Sequence, residues 1–281
     1  MNGRHGARSL VVTLAVALSG CAGVDDGVEF DIAFRTSDDE DGGDLAGDDG
    51  TAADAKKGVP SGGGWLNNGL EEPVVTGIDP AFALSSSDGL AEDGALLTDP
   101  ALLETARYVV ECALPEGSEI TKVVDGEVVT LEGMLGLAPE WEDGACEQDC
   151  QEWVSACLLA RTNVSGNDVT VWIQADHPEI GFGTPPGAIR EASWFGNLFA
   201  GPDEQYLCRG AVGGPIAAMQ QGRTCSVGNG SQCGFTKYWS CMVAHRCNMG
   251  GPDGNVPTNC RPGQPWALGS SYRTISTYVV P

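Results

Sequence analysis

A small disulfide-stapled α+β domain, with short antiparallel strands and about three helices behind a disordered acidic linker, is the fold class the sequence predicts. Three observations carry that expectation. Two stretches repeat apolar residues at helical spacing, three others alternate or turn as strands do, and the 281-residue chain holds 11 cysteines, all but Cys21 lying beyond residue 110. The boundaries that follow are 1–20 for a leader, 21–97 for the linker and 98–281 for the cysteine-rich domain, which is long enough to bury a core of its own.

The leader comes first. Arg4, His5 and Arg8 make the start of the chain positive, and Leu10 to Leu18 follow as a mostly apolar run. That run is far short of the roughly 20 residues a bilayer span needs, so it reads as a signal peptide. It closes on Leu18-Ser19-Gly20-Cys21, which resembles the lipobox of bacterial lipoproteins. The resemblance implies cleavage before Cys21, a diacylglyceryl group on its sulfur and a third acyl chain on the new amino terminus. At about 0.8 kcal/mol per buried CH₂, several chains hold a protein stably on a membrane. Ala22 stands where an aspartate would, by the best-known sorting rule, retain a lipoprotein in the inner membrane; the outer membrane is the expected address.

From Ala22 to Lys57 twelve acids face three bases, with glycine and alanine between them. Too little apolar surface is present to offset chain entropy, so the stretch reads as a solvated, self-repelling spacer. Asp38, Glu40, Asp44 and Asp49 around Gly43 fall short of a calcium loop, because other ligands are missing. Val59 to Leu97 carries scattered apolar residues and Gly62-Gly63-Gly64, and is expected to drape loosely toward the domain.

Order is expected from Thr98. Asp99-Pro100 offers an N-cap with proline at the first helical position, and Leu102, Leu103, Ala106, Val109, Val110 and Ala113 recur at helical spacing until Pro115. Glu119 to Leu131 reads as a hairpin about Asp125-Gly126, which sets Val123 opposite Val128 and Ile120 opposite Leu131. A second helix runs over 147–162, with Cys150, Trp153, Val154, Cys157, Leu158 and Arg161 on one stripe. Val169 to Ala175 alternates as a strand, with Val171 and Ile173 on one face and Thr170 and Trp172 on the other. A third, short helix is expected around Ile189 to Phe199, and Tyr272 to Val280 closes the chain as a strand.

Setting Cys21 aside leaves Cys112, Cys146, Cys150, Cys157, Cys208, Cys225, Cys233, Cys241, Cys247 and Cys260. An even set in an exported chain argues for a disulfide framework, at roughly 2–4 kcal/mol per bridge. Cys150 and Cys157, on one helix, would lie about 10 Å apart, beyond disulfide reach. The preferred pair is Cys112 with Cys157, joining two helices, which leaves Cys146 and Cys150 for each other near a helix start. Zinc is the rival, but no Cys-x-x-Cys occurs and the nearest cluster is Cys241, His245 and Cys247; neither metal nor cofactor is expected.

The segments Tyr108-Val109-Val110-Glu111-Cys112-Ala113-Leu114-Pro115, Gly133-Met134-Leu135-Gly136-Leu137-Ala138-Pro139-Glu140-Trp141, Trp153 to Asn163 and Trp194-Phe195-Gly196-Asn197-Leu198-Phe199 together resemble uncharacterised cysteine-rich lipoproteins of myxobacterial type. The likeness covers about 98–281 and implies an envelope location, with no activity to carry over.

Chemistry is sparse. The formal net charge of −24 becomes −26 once Arg4 and Arg8 leave with the leader, a surface that repels nucleic acid and anionic lipid headgroups. No nucleophile elbow, zinc-protease helix, Walker loop or dinucleotide turn occurs. His177, between Asp176 and Glu179 after a strand, is a weak candidate for a general base. Glu140, Glu142 and Asp143 beside Trp141 make a fainter glycosidase reading. Trp153 and Trp172 are expected in the core, which leaves Trp239 and Trp266 as candidate ligand platforms. The leading expectation is a non-enzymatic envelope lipoprotein, anchored through its lipid and binding an envelope protein or glycan. The alternative is an extracytoplasmic hydrolase with its site near His177.

Overall fold

Asp99 does cap a helix: its Oδ1 accepts the Ala101 N–H at 2.9 Å, and Pro100 opens α2, Pro100–Ala113. The computed structural model describes residues 63–71, 73–163, 169–201, 203–210, 235–243, 245–263 and 269–279. All of them belong to one compact unit, Asp54–Pro281. In chain order it holds β1 (Gly64–Asn68), α1 (Ala95–Thr98), α2, β2 (Glu119–Val124), β3 (Glu127–Glu132), a 3₁₀ turn (Pro139–Glu142), α3 (Gln148–Arg161), β4 (Val169–Ala175), β5 (Ile189–Gly196), β6 (Gln205–Arg209), β7 (Thr236–Ser240), β8 (Asn248–Gly250), β9 (Val256–Thr258) and β10 (Thr274–Val279).

This is an α+β fold. Six strands form one sheet in the order β1-β4-β10-β5-β6-β7, antiparallel except where β7 joins β6 in parallel. α3 packs on one face of the sheet and α2 packs on α3. Every residue of α3 from Glu152 to Arg161 is buried, as befits a helix enclosed on all sides. The hairpin β2–β3 has the expected register, Val123 opposite Val128 and Ile120 opposite Leu131. Its turn needs positive φ at both central residues, and Asp125 (51°) and Gly126 (87°) supply it.

The other face of the sheet carries a second, smaller core. Phe195 and Cys208 point away from α3 and meet Cys241, Cys247 and Cys260, with Tyr206, Tyr238 and Tyr272 packed around them. Two disulfides, Cys208–Cys241 and Cys247–Cys260, lie in this layer; Cys112–Cys157 joins α2 to α3, and Cys146–Cys150 pins the turn into α3. The first block pairs as preferred, Cys112 with Cys157 and Cys146 with Cys150. Cys225 and Cys233, like Cys21, lie outside the described residues.

Two expectations need correction. Residues 189–199 form no helix: Ile189–Gly196 is a strand, buried throughout from Glu191. Covered by α3 on one side and by the cystine layer on the other, it loses the alternation that marks a half-exposed strand. The second concerns the linker boundary. Order starts by Gly63, not Thr98: β1 is an edge strand, and Leu66, Leu70, Leu84, Leu90 and Leu96 are all buried in the main core. Leucines spaced singly through a segment show no period, so their burial leaves no signature.

A buried cation fastens this segment. Lys122 lies on the inner face of the hairpin at 2% exposure, and its Nζ donates to the Ser85 and Ser86 carbonyls at 2.8 and 2.6 Å. Burial pushes its pKa down, and Glu92 opposes the shift. Lys122→Met keeps the stem but strands the Ser85 carbonyl and takes one of two donors from the Ser86 carbonyl, which still accepts the Leu90 N–H at 3.2 Å. It should cost about 2–4 kcal/mol, read as a lowered urea midpoint; an unchanged midpoint would mean the ammonium is not the fastening.

Candidate ligand-binding pocket

The free edge of β1 needs covering, and Arg161 covers it. At the last position of α3 its Nε donates to the Asn67 carbonyl at 2.9 Å, while Tyr108 accepts the Gly69 N–H at 2.9 Å through its hydroxyl. The guanidinium lies 3.9 Å over the Tyr108 ring and pairs with Glu111 at 2.6 Å. At 4% exposure, a lone charge there would be costly. The ring, the carbonyl and the carboxylate together make the position tenable.

Above this assembly opens a pocket of about 430 Å³, within the usual range for small-ligand sites. Pro100, Leu103, Glu104, Arg107, Tyr108 and Glu111 line it from a single face of α2, since positions three, four, seven, eight and eleven along a helix share one side. Asn67 and Arg161 close the other wall. Glu104 and Arg107 are exposed at the rim. The chemistry offered is a mixture of donors and acceptors around an internally neutralised floor, with no serine, threonine, cysteine or histidine among these residues.

The site residues expected from sequence lie elsewhere. His177 stands just past β4, its ring 4.8 Å from that of Trp153 in an edge-to-face contact. Its Nδ1 accepts the Glu179 N–H at 3.2 Å, and the Leu137 carbonyl engages the ring as well. Burial lowers its pKa, opposed by Glu179, Asp149 and Glu140. The folded chain thus takes up this proton less readily than the unfolded one. Stability present at neutral pH is therefore lost as pH falls through the ordinary imidazole pKa of about 6.5 toward the lower folded value. His177→Gln should flatten that part of the loss: between about pH 7.5 and 5.5 its melting temperature should fall by less than that of the unaltered chain. An identical fall would assign the acid sensitivity to the carboxylates.

Trp141 is fully buried, donates from Nε1 to the Phe82 carbonyl at 3.1 Å and packs against Phe199. It anchors the 82–85 loop, and Glu140, Glu142 and Asp143 flank a ring with no face for a sugar. Trp153 is buried as expected, whereas Trp172 is only half-buried. The side chain of Trp239 and all of Trp266 lie outside the described residues. The sulfurs of Cys208, Cys241 and Cys247 come within 4.8 Å of one another, but each is in a disulfide and offers no thiolate to a metal. His245 stands apart from them, exposed and with φ of 64°.

Two features of this region escape sequence reasoning. Trp65 is 49% exposed on β1, propped edge-to-face against Trp172 at 5.2 Å. The Arg161–Glu111 pair left one sign, a lone cation at the end of an otherwise apolar stripe.

Fold and pocket define a cystine-stapled α+β domain with a charge-paired pocket at its sheet edge. No family model matches the chain. No curated protein and no solved structure matches it significantly.

Proposed function

We propose that the chain is an envelope lipoprotein, tethered through Cys21 to the outer membrane, whose stapled domain is a non-enzymatic binding module. One observation carries the binding reading: a pocket of about 430 Å³ whose deepest charged groups, Arg161 and Glu111, spend themselves on each other. Such a floor positions a ligand and has no charge left over to drive bond-breaking. His177, with its Nδ1 already accepting a backbone N–H, would have to give up that bond before taking a substrate proton. The strongly acidic chain disfavours nucleic acid as a partner.

The anchor is tested by Cys21→Ala in the full chain. Loss of lipid labelling and release from the membrane fraction are expected; unaltered fractionation and labelling would remove the tether. The binding reading is tested with full-length protein in detergent, scored by thermal shift against glycans and envelope proteins. Uniform failure to bind would remove it.

A further inference from the structure

We infer that the pocket at the sheet edge, together with Trp65, takes a neutral glycan; this rests on the binding-module reading and names its ligand class. The charges decide first. Arg161 and Glu111 are ion-paired at 2.6 Å, so a charged ligand group would have to compete with that attraction. A sugar hydroxyl donates and accepts at once, and can take hydrogen bonds from such a pair without breaking it. The rim repeats the pattern, with Glu104 accepting and Arg107 donating. A formal charge of −24 on the chain keeps polyanionic glycans away and leaves neutral ones unopposed.

The aromatic neighbour is the second observation. Trp65 and Asn67 lie on the same face of β1, two residues apart, which is about 7 Å. Asn67 lines the pocket, so Trp65 stands where the next ring of an extended disaccharide would fall. The C–H face of a pyranose packs on an indole face, whose π-cloud is negative. Trp65 is also held ready. Trp172 supports it edge-on and is itself locked by a 2.6 Å hydrogen bond from Nε1 to the Gly183 carbonyl. Behind Trp172 the backbone approaches so closely that a Cβ on Gly63 would come within 2.4 Å of that Nε1. A platform fixed before binding loses little entropy on binding.

The test is isothermal titration of full-length protein in detergent with maltotetraose, cellotetraose and chitotetraose, and in parallel with glutamine and glycylglycine. A tetrasaccharide should bind, and Trp65→Ala and Arg107→Ala should each weaken it at least tenfold. Both side chains are exposed, so neither change should unfold the domain. Val128→Ser, on the solvent face of the hairpin, should leave binding unchanged. Tetrasaccharide binding equal in all variants would overturn this site while leaving a binding module in place. Binding of glutamine or glycylglycine alone, lost in Arg107→Ala, would overturn the glycan and keep the module. No binding by any of the five would overturn the glycan site, and the module itself falls only if the envelope proteins of the thermal-shift panel fail as well.

Discussion

A chain beginning at Thr98 is expected not to fold. The segment it lacks supplies the edge strand β1 and the buried Leu66, Leu70, Leu84, Leu90 and Leu96. At roughly 1.5–3 kcal/mol for each buried leucine, these side chains alone are worth on the order of 10 kcal/mol as an upper figure, as much as a typical domain's whole stability. Hydrogen bonds would be lost with them. The Trp141 carbonyl accepts from Leu84 N–H at 2.8 Å, and the Cys146 N–H donates to the Pro80 carbonyl at 2.7 Å. Lys122 would be left as a bare ammonium on an apolar face. Circular dichroism should show no cooperative melt for 98–281 and a sharp one for 59–281. Equal melts would return 63–97 to the linker.

The second large effect is expected from removing Cys112 and Cys157 together. Their bridge closes 45 residues of chain and ties α2 to α3 where both cysteines are fully buried. In the chain-entropy account that closure is worth about 4 kcal/mol, against about 2 for the four-residue loop of Cys146–Cys150. C112A/C157A should therefore lower the free energy of unfolding about twice as much as C146A/C150A, measured by urea denaturation under non-reducing conditions. The reverse order would mean that the short bridge, which pins the entry to α3, governs the helix more than loop entropy does. Pairing α2 with α3 also holds Glu111 near Arg161, one residue before Cys112 and four after Cys157. The pocket should loosen with the bridge.

Legibility in the sequence follows from how each residue is exposed. α2 with its cap, the β2–β3 hairpin with its turn, and α3, β4 and β10 with the spacing of their apolar residues were readable. β5 was not, because Ile189, Ala192, Phe195 and Phe199 fall three or four residues apart, a spacing a helix shares, while Glu191 and Ser193 are polar residues buried within the strand. The 63–97 segment was missed because it has no period at all. It is held by leucines placed one at a time and by Lys122, whose position on an inner face runs against every expectation for an ammonium. The pocket was partly visible. Arg161 stood on the α3 stripe beside Cys157 and Leu158, and a charge on such a stripe asks for a partner. Its partner Glu111 lies fifty residues away, and separation in sequence hides a pairing that only the packing of two helices creates. Trp65 was hidden by the same error that hid β1.

The place of β10 in the sheet sets a timetable. It is the last strand in the chain, yet it lies third in the sheet, bonded to β4 on one side and β5 on the other. Until residues 274–279 are delivered, β1 and β4 cannot join β5 and β6, and α3 has no continuous surface to settle on. The sheet therefore closes only when this strand arrives between β4 and β5. A pause or truncation near the end leaves two half-sheets with raw edges rather than a smaller domain.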